Sequence, residues 1–389
     1  MKGKVILLDS LKDGASAAAL VVNGRLEDLI IDPKPGTGRP MAGDTCVVKV
    51  TRKLQKSGAF CQMAGGEGYL RDARNVKEGA LMLAQVLSLP ESGKAPTLTT
   101  RILHKGPRII LTPGAPGVNV SKKIGNAAER DRLKAAVEEI FAQNSAEVGR
   151  AEPDKDMGAI IRTEARGADQ TLLSREVAIL LVQHEEAIAI LNVKREIVTR
   201  PTGASEAIAL RDWLLPMPDA IVASPACAAR LTRDPDPHGP SPFFGDDRFP
   251  PLVEPDPSPF ETHGVWSEFE ALNSPVFALG DRSMVIEPTR ALVAVDVNTG
   301  ADFSPAAGLK TNLAVARELP RQLRLRGLGG KIAIDFAPMP KQNRRSVEDA
   351  LKKAFRGDPI ETVLVGWTSL GLFELQRKRE RWPLATISA

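Results

Sequence analysis

The apolar positions of this chain follow two periods. Short runs rich in Val, Ile and Leu read as strands, and i, i+3, i+4 spacing reads as helices. The clearest combination lies between residues 291 and 339. Ala291-Leu-Val-Ala-Val-Asp296 and Lys331-Ile-Ala-Ile-Asp335 are apolar, β-branched runs, each closed by an acidic residue, so each predicts a buried strand. Residues 309–327 have helical spacing, and Gly327, Gly329 and Gly330 stop it. Strand, helix, strand is a βαβ unit whose crossover makes the strands parallel. Asp296 and Asp335 then fall at the same carboxyl end of the sheet, where open α/β sheets place their sites. Asn298 lies two residues past Asp296, so the two share a strand face.

Upstream, residues 4–8, 17–22 and 25–31 read as strands, with Asn23-Gly24 as a hairpin signal. The Pro/Gly-rich stretch 33–40 reads as a linker. Short strands at 45–51, 58–63, 80–87 and 97–102 suggest a small oligonucleotide-binding barrel. Such barrels hold single strands with exposed aromatic and basic residues. Phe60 and the sole tyrosine, Tyr69, fall close together there in a chain that is only 4% aromatic. Phe60 can equally be a core residue. Residues 108–112 predict a strand and 127–144 a charged amphipathic helix; 159–163 predict a strand ending in Arg162-Thr163, and 172–191 a second helix. A guanidinium and a hydroxyl suit a terminal phosphate, although strand-end arginines usually face solvent. Residues 193–205 read as a connection, 207–213 as a helix, 220–223 as a strand and 225–231 as a helix. Residues 234–259, dense in Pro, Gly and Asp, predict an irregular loop, and 266–272 a helix.

Composition adds bounds. The 389 residues are 43% hydrophobic, enough for about two to four domains and not for a disordered chain. The net charge is only +4, but basic residues outnumber acidic ones from 317 to 356, and Arg377, Lys378, Arg379 and Arg381 add a cluster. Beside two carboxylates, that run predicts a face for a polyanion; the alternative is a solvated helix face. Cys46, Cys61 and Cys227 are isolated and lack zinc-ligand spacing, so no zinc is expected and a reduced, cytoplasmic compartment fits. No apolar run is long enough to span a bilayer, and residues 5–8 are too short for a signal-peptide core.

Two carboxylates and an amide at one sheet end make a hard, all-oxygen site suited to Mg²⁺. A strand-end aspartate can also simply cap the following turn; the matching context of the two favours a site.

These residues also carry a resemblance. Val295-Asp-Val-Asn-Thr-Gly300, Thr311-Asn-Leu313, Arg321-Gln-Leu-Arg-Leu-Arg326, Leu328-Gly-Gly330, Ile334-Asp-Phe336 and Gly371-Leu-Phe-Glu374 resemble the catalytic domain of the RNase E/G endoribonucleases. The resemblance implies that Asp296 and Asp335 hold a catalytic Mg²⁺ and that Asn298 orients Asp296. Gly58-Ala-Phe60, Gly68-Tyr-Leu70 and Lys94 are similar to RNA-contacting positions of the family's S1 domain, which gives Phe60, Tyr69 and Lys94 that role. Arg162-Thr163 is similar to the family's pocket for a 5′-monophosphate, and Asn119-Val-Ser121-Lys122-Lys123 to the loop facing it.

The implied fold is an α/β, α+β multidomain chain. An RNase H-like subdomain (1–35 and 206–275) is interrupted by an S1/OB-type barrel (36–103) and a 5′-sensor region (104–205), and a DNase I-like catalytic domain (276–389) follows. The implied function is Mg²⁺-dependent cleavage of single-stranded RNA to 5′-phosphate and 3′-hydroxyl products, in rRNA processing or mRNA decay.

The chain departs from the family at Arg290, where Thr-Glu-Ala-Leu is usual, and at Glu361, a usually basic position. Pro320 falls inside the helix between the two catalytic strands, where it costs about 3 kcal/mol unless the helix kinks. The family's zinc-link cysteines and small domain are not among the 389 residues, so a monomer or dimer is expected in place of the family tetramer. These departures keep open an RNA-binding protein of the same fold with weak or no catalysis. A phosphoesterase acting on something other than RNA is a third reading, against which the barrel argues.

Overall fold

Three strands open the chain where the alternation predicts them: Lys4–Ser10, Ser16–Val22 and Arg25–Ile31. Between the last two, Asn23 and Gly24 both take positive φ, 51° and 78°, as a two-residue type I′ hairpin turn requires. The computed structural model describes residues 3–11, 13–54, 58–71, 73, 76–91, 93–147, 156–194, 197–200, 204–232, 253–302 and 304–387. Residues 234–252 of the predicted loop, and 195, 196 and 201–203 of the predicted connection, lie outside them. The chain divides into two units. One comprises Met1–Gly24, Ile31–Leu87 and Ala95–Pro259; the other comprises Arg25–Ile30, Ser88–Lys94 and Phe260–Ala389.

The first unit contains three β-structures. In one, Lys4–Ser10 pairs antiparallel with Ser16–Val22 and parallel with Ala220–Ala223, which pairs parallel with Val253–Pro255. Ile6, Leu7, Leu8 and Ala17 are fully buried there. The second is a closed five-stranded barrel of Thr45–Leu54, Gly58–Met63, Gly66–Leu70, Thr97–Thr99 and Leu81–Ser88, shut by the antiparallel pairing of Thr45–Leu54 with Leu81–Ser88. Closure removes the exposed edges an open sheet of this size would leave. The strand Gly66–Leu70 escapes a sequence reading because its glycines hide the alternation. The third is a sheet of Gly117–Val120, Met157–Ile161, Ile109–Pro113 and His104–Lys105. The helices Ala127–Glu147 and Gln170–Ala189 close its core, in which Ile109, Leu111, Leu133, Val137, Leu173 and Val177 are fully buried.

The second unit is built on a six-stranded sheet in the order Val276–Leu279, Arg282–Pro288, Val293–Asn298, Gly330–Asp335, Phe373–Arg377, Thr362–Trp367. Val293–Asn298 and Gly330–Asp335 are parallel, as the βαβ reading requires. The helices Pro305–Leu325 and Arg344–Gly357 supply Val315, Leu319, Leu323, Val347 and Leu351 to one sheet face, against Val295, Ile332, Ile334 and Phe373. The opposite face carries exposed or half-buried side chains, among them Val276, Asp296, Asn298, Asp335, Glu374 and Val365.

One expectation holds and one changes. The helix runs unbroken through Pro320. One backbone donor is lost, but Leu319 and Leu323, both fully buried, anchor the turns on either side, and burial of this kind outweighs propensity. The basic run is only in part a surface. Arg321, Arg326 and Arg377 are buried, and Arg324 and Arg381 are half-buried. They are held in ion pairs and carbonyl contacts: Arg321 with Glu318 at 2.7 Å, Arg326 on the carbonyls of Leu272 and Ser274, Arg324 and Arg377 on Asp358, and Arg381 on Asp28. A buried guanidinium needs such partners; a charge count along the sequence cannot show that they are present. The three cysteines are buried, as expected. Among the described residues no helix is long and apolar enough to cross a membrane.

Candidate active site

Asp296 and Asp335 are direct register partners on parallel strands. Registered residues point to the same face, and neighbouring strands lie about 4.8 Å apart, so the two carboxylates stand side by side. Their flanking residues Val295, Val297, Ile334 and Phe336 are buried on the helix side; both aspartates are exposed on the other. The sequence dictates this arrangement locally, because an apolar residue on each side of each aspartate fixes which face turns inward.

Asn298 sits two residues on and donates its Nδ2 to Asp296 Oδ2 at 2.9 Å. The amide thus fixes one carboxylate oxygen, and among the described residues no hydrogen bond to the other is seen. The turn that follows needs Gly300, whose φ is +67° and where a Cβ would meet the Asp281 carbonyl oxygen at 2.1 Å.

The sequence shows Asn312 only as part of Thr311-Asn-Leu313 and does not disclose its positioning role. Asn312, fully buried in the helix Pro305–Leu325, donates to the Ala337 carbonyl at 2.9 Å and accepts from the Ala337 amide at 3.0 Å. That pair clamps the backbone two residues beyond Asp335. Gly308 lets the helix approach, since a Cβ there would lie 2.3 Å from the Pro338 carbonyl oxygen. The available signal was an asparagine inside a helix, where it is unfavourable unless its amide has a specific partner.

Among the described residues no group of three or more His, Cys, Asp or Glu side chains converges as a metal cage. Two carboxylates and an amide are a smaller set. Mg²⁺ takes few protein carboxylates and keeps several waters, so Asp296 and Asp335 fit that ion.

In the first unit, the strand Met157–Ile161 ends at Arg162, which is extended (φ −78°, ψ 167°) and opens a short 3₁₀ turn. The Thr163 hydroxyl lies 3.0 Å from the Ser121 hydroxyl, and Arg166 donates to the Lys123 carbonyl at 3.3 Å. The structure therefore brings the 119–123 loop against Arg162-Thr163. Arg162 donates to the Gly106 carbonyl at 2.8 Å and to Asp212 at 3.2 Å, a partner the sequence did not disclose.

On the barrel, Phe60 and Tyr69 are register partners with ring centroids 5.7 Å apart. Both are half-buried, while Ala59, Cys61 and Leu70 beside them point into the barrel. The rings thus lie on the outer face. The Arg52 guanidinium sits 4.8 Å from the Phe60 ring centroid, a cation–π contact that sequence spacing did not reveal. Lys94 belongs to the segment counted with the second unit; its side chain is 70% exposed and pairs with Glu91.

Comparison with known proteins bears on this arrangement. A sequence profile of the Ribonuclease E/G family matches residues 105–380. The chain is 30% identical over 315 residues to Ribonuclease G of Escherichia coli (strain K12), covering 79% of this chain and 61% of that protein. It is 30% identical over 321 residues to Ribonuclease E of a Nostoc species, covering 77% of this chain and 43% of that one. Against Ribonuclease G of Haemophilus influenzae the identity is 30% over 329 residues, covering 80% and 62%. The chain therefore spans about three-fifths of the length of the Ribonuclease G proteins it matches, 61% and 62%.

Proposed function

The chain belongs to the Ribonuclease E/G family, and from that premise we propose that it is a Mg²⁺-dependent endoribonuclease. Its substrate is single-stranded RNA and its products carry 5′-phosphate and 3′-hydroxyl ends. The observation that carries this reading is the register pairing of Asp296 with Asp335, with Asn298 bonded to the first. The two carboxylates are the residues that would hold Mg²⁺, which when bound supplies charge neutralisation on the phosphodiester and an acidified water. Asn298 holds Asp296 in one rotamer, and Asn312 holds the backbone beyond Asp335. Preorganised carboxylates of this kind need not rearrange during the reaction.

The outward rings Phe60 and Tyr69, with Arg52, are the RNA-stacking platform in this reading, and Lys94 is a further phosphate contact. Arg162 and Thr163 receive a 5′-terminal phosphate. The domains follow as an RNase H-like subdomain, an S1/OB-type barrel at 36–103, a 5′-sensor region at 104–205 and a DNase I-like catalytic domain at 276–389. The closed five-stranded barrel and the βαβ-centred six-stranded sheet support this division. A cytoplasmic role in RNA processing or decay fits three buried thiols.

The test is direct. A 3′-labelled, 5′-monophosphorylated oligoribonucleotide is incubated with the chain in Mg²⁺ and in EDTA. Fragments bearing 5′-phosphates in Mg²⁺ alone are expected. RNA that is bound but left intact in Mg²⁺ would identify an RNA-binding protein of the same fold instead.

A further inference from the structure

Arg162 already holds an anion. One of its Nη atoms donates to Asp212 Oδ1 at 3.2 Å, and its Nε lies 3.7 Å from Glu164 Oε2. Asp212 lies on the helix Ser205–Trp213, and its neighbour Arg211 grips both carboxylate oxygens, at 3.2 Å from Nε to Oδ1 and 2.6 Å from Nη2 to Oδ2. Burial by itself would raise the Asp212 carboxyl. The Arg211 guanidinium, then Arg162 and Lys105, outweigh that and hold it well below the usual carboxylate range. Two guanidinium groups therefore converge on one carboxylate, and the charge of Lys105 adds to their field.

This geometry is what a terminal phosphate would itself demand, since guanidinium forks bind carboxylate and phosphate alike. It also differs from a purely structural pair. Arg377 and Asp358 pair with both side chains fully buried, at 0% and 0% exposure. The Arg162, Asp212 and Arg211 side chains keep 22%, 30% and 14% exposure, so this cluster is not sealed from solvent as that pair is.

We propose that Asp212 is the resident counter-ion of the terminal-phosphate pocket and sets how strongly the chain discriminates 5′-phosphorylated from 5′-hydroxyl RNA. The inference rests on the phosphate reading of Arg162 given above. An arriving phosphate must share or displace a carboxylate already bonded to both arginines. Among the contacts described, Arg162 and Arg211, with Lys105 near them, face Asp212 and Glu164, a small positive excess. Removing the Asp212 charge enlarges that excess for a phosphate and does nothing specific for a hydroxyl end. Asp212 is thus a positioning and specificity residue that acts through Arg162 and Arg211.

The experiment uses the full chain and two 3′-fluorescein oligoribonucleotides of one sequence, one with a 5′-monophosphate and one with a 5′-hydroxyl. Binding is read by anisotropy in EDTA, so that cleavage plays no part. Asp212→Asn and Asp212→Ser should each raise the affinity ratio of phosphate over hydroxyl RNA by about three- to tenfold, the scale of a partly exposed charge pair. Asp212→Glu, which keeps the charge, should hold the wild-type ratio. Thermal melts identify any variant that fails to fold, and three substitutions keep the test open if one does. A ratio unchanged or lowered in the folded Asn and Ser variants, while Arg162→Ala still lowers it, overturns the role of Asp212. An Arg162→Ala protein that keeps the wild-type ratio overturns the pocket itself, and the proposal with it.

Discussion

The two faces of the six-stranded sheet treat charge in opposite ways. On the open face, Asp296, Asn298 and Asp335 stand exposed, with one hydrogen bond among them described, from Asn298 to Asp296. On the helix-covered face, the strand Phe373–Arg377 turns Phe373, Leu375 and Arg377 inward, so a guanidinium ends a row of core side chains. There Arg377 donates to Asp358 Oδ1 at 3.0 Å and to the Thr362 hydroxyl at 2.9 Å, while Arg324 bonds the other Asp358 oxygen at 2.5 Å. Burial pushes the Arg377 guanidinium below its ordinary value, opposed by Asp358. Charges that share partners hold the fold; charges that stand apart from them are available for chemistry.

Asp296→Asn and Asp335→Asn break the comparison most sharply. On the proposed reading each should cut Mg²⁺-dependent cleavage by at least about a thousandfold, roughly 4 kcal/mol, because a proposed metal ligand is lost. RNA affinity and thermal stability should stay close to wild type. Cleavage at the wild-type rate by either variant would sink the active-site assignment.

Asp358→Ala is the mirror experiment. It strands Arg377 in the interior, while Arg324 keeps Asp28 and the Glu27 carbonyl, and should cost about 3–5 kcal/mol of stability, read by urea or thermal melts, because a buried charge is left without its carboxylate. Protein that still folds should keep its turnover per folded molecule. Near-wild-type stability would show that the cluster is better solvated than its burial implies.

The same inside–outside logic extends to the barrel. Phe60→Ala and Tyr69→Ala should each weaken single-stranded RNA binding by about 1–3 kcal/mol, the measure of a base stacked on a ring. Large losses of melting temperature at unchanged affinity would instead make the rings structural.

Asn298→Ala gives the smallest expected change. Cleavage should fall by about tenfold, the lower end for a residue that orients a ligand, because its bond to Asp296 is solvent-exposed. A shift in Mg²⁺ requirement should accompany it, and a fall in rate at unchanged Mg²⁺ requirement would argue against an orienting role.

Much of this was legible in advance because period and side-chain class report burial directly. Four apolar positions flanking Asp296 and Asp335 (Val295, Val297, Ile334 and Phe336) marked the inner face, and the crossover helix made the strands parallel, so the side-by-side carboxylates followed from local pattern. Asn23-Gly24 fixed its turn because both residues tolerate positive φ. The strand Gly66–Leu70 was not legible, since glycine at 66 and 68 leaves no apolar alternation to read.

Charge was the property the sequence misreported. The chain by itself determined the βαβ unit, the facing of its two strands and the pair of aspartates, all consequences of periodicity within a few residues. Only the tertiary structure decided which arginines face solvent. Arg381 meets Asp28 across 353 positions of sequence and Arg162 meets Asp212 across 50. A residue's type fixes its charge, but its partner is fixed by which distant segment the fold brings within hydrogen-bond reach, and that contact settles whether the charge is buried and paired or open to a ligand.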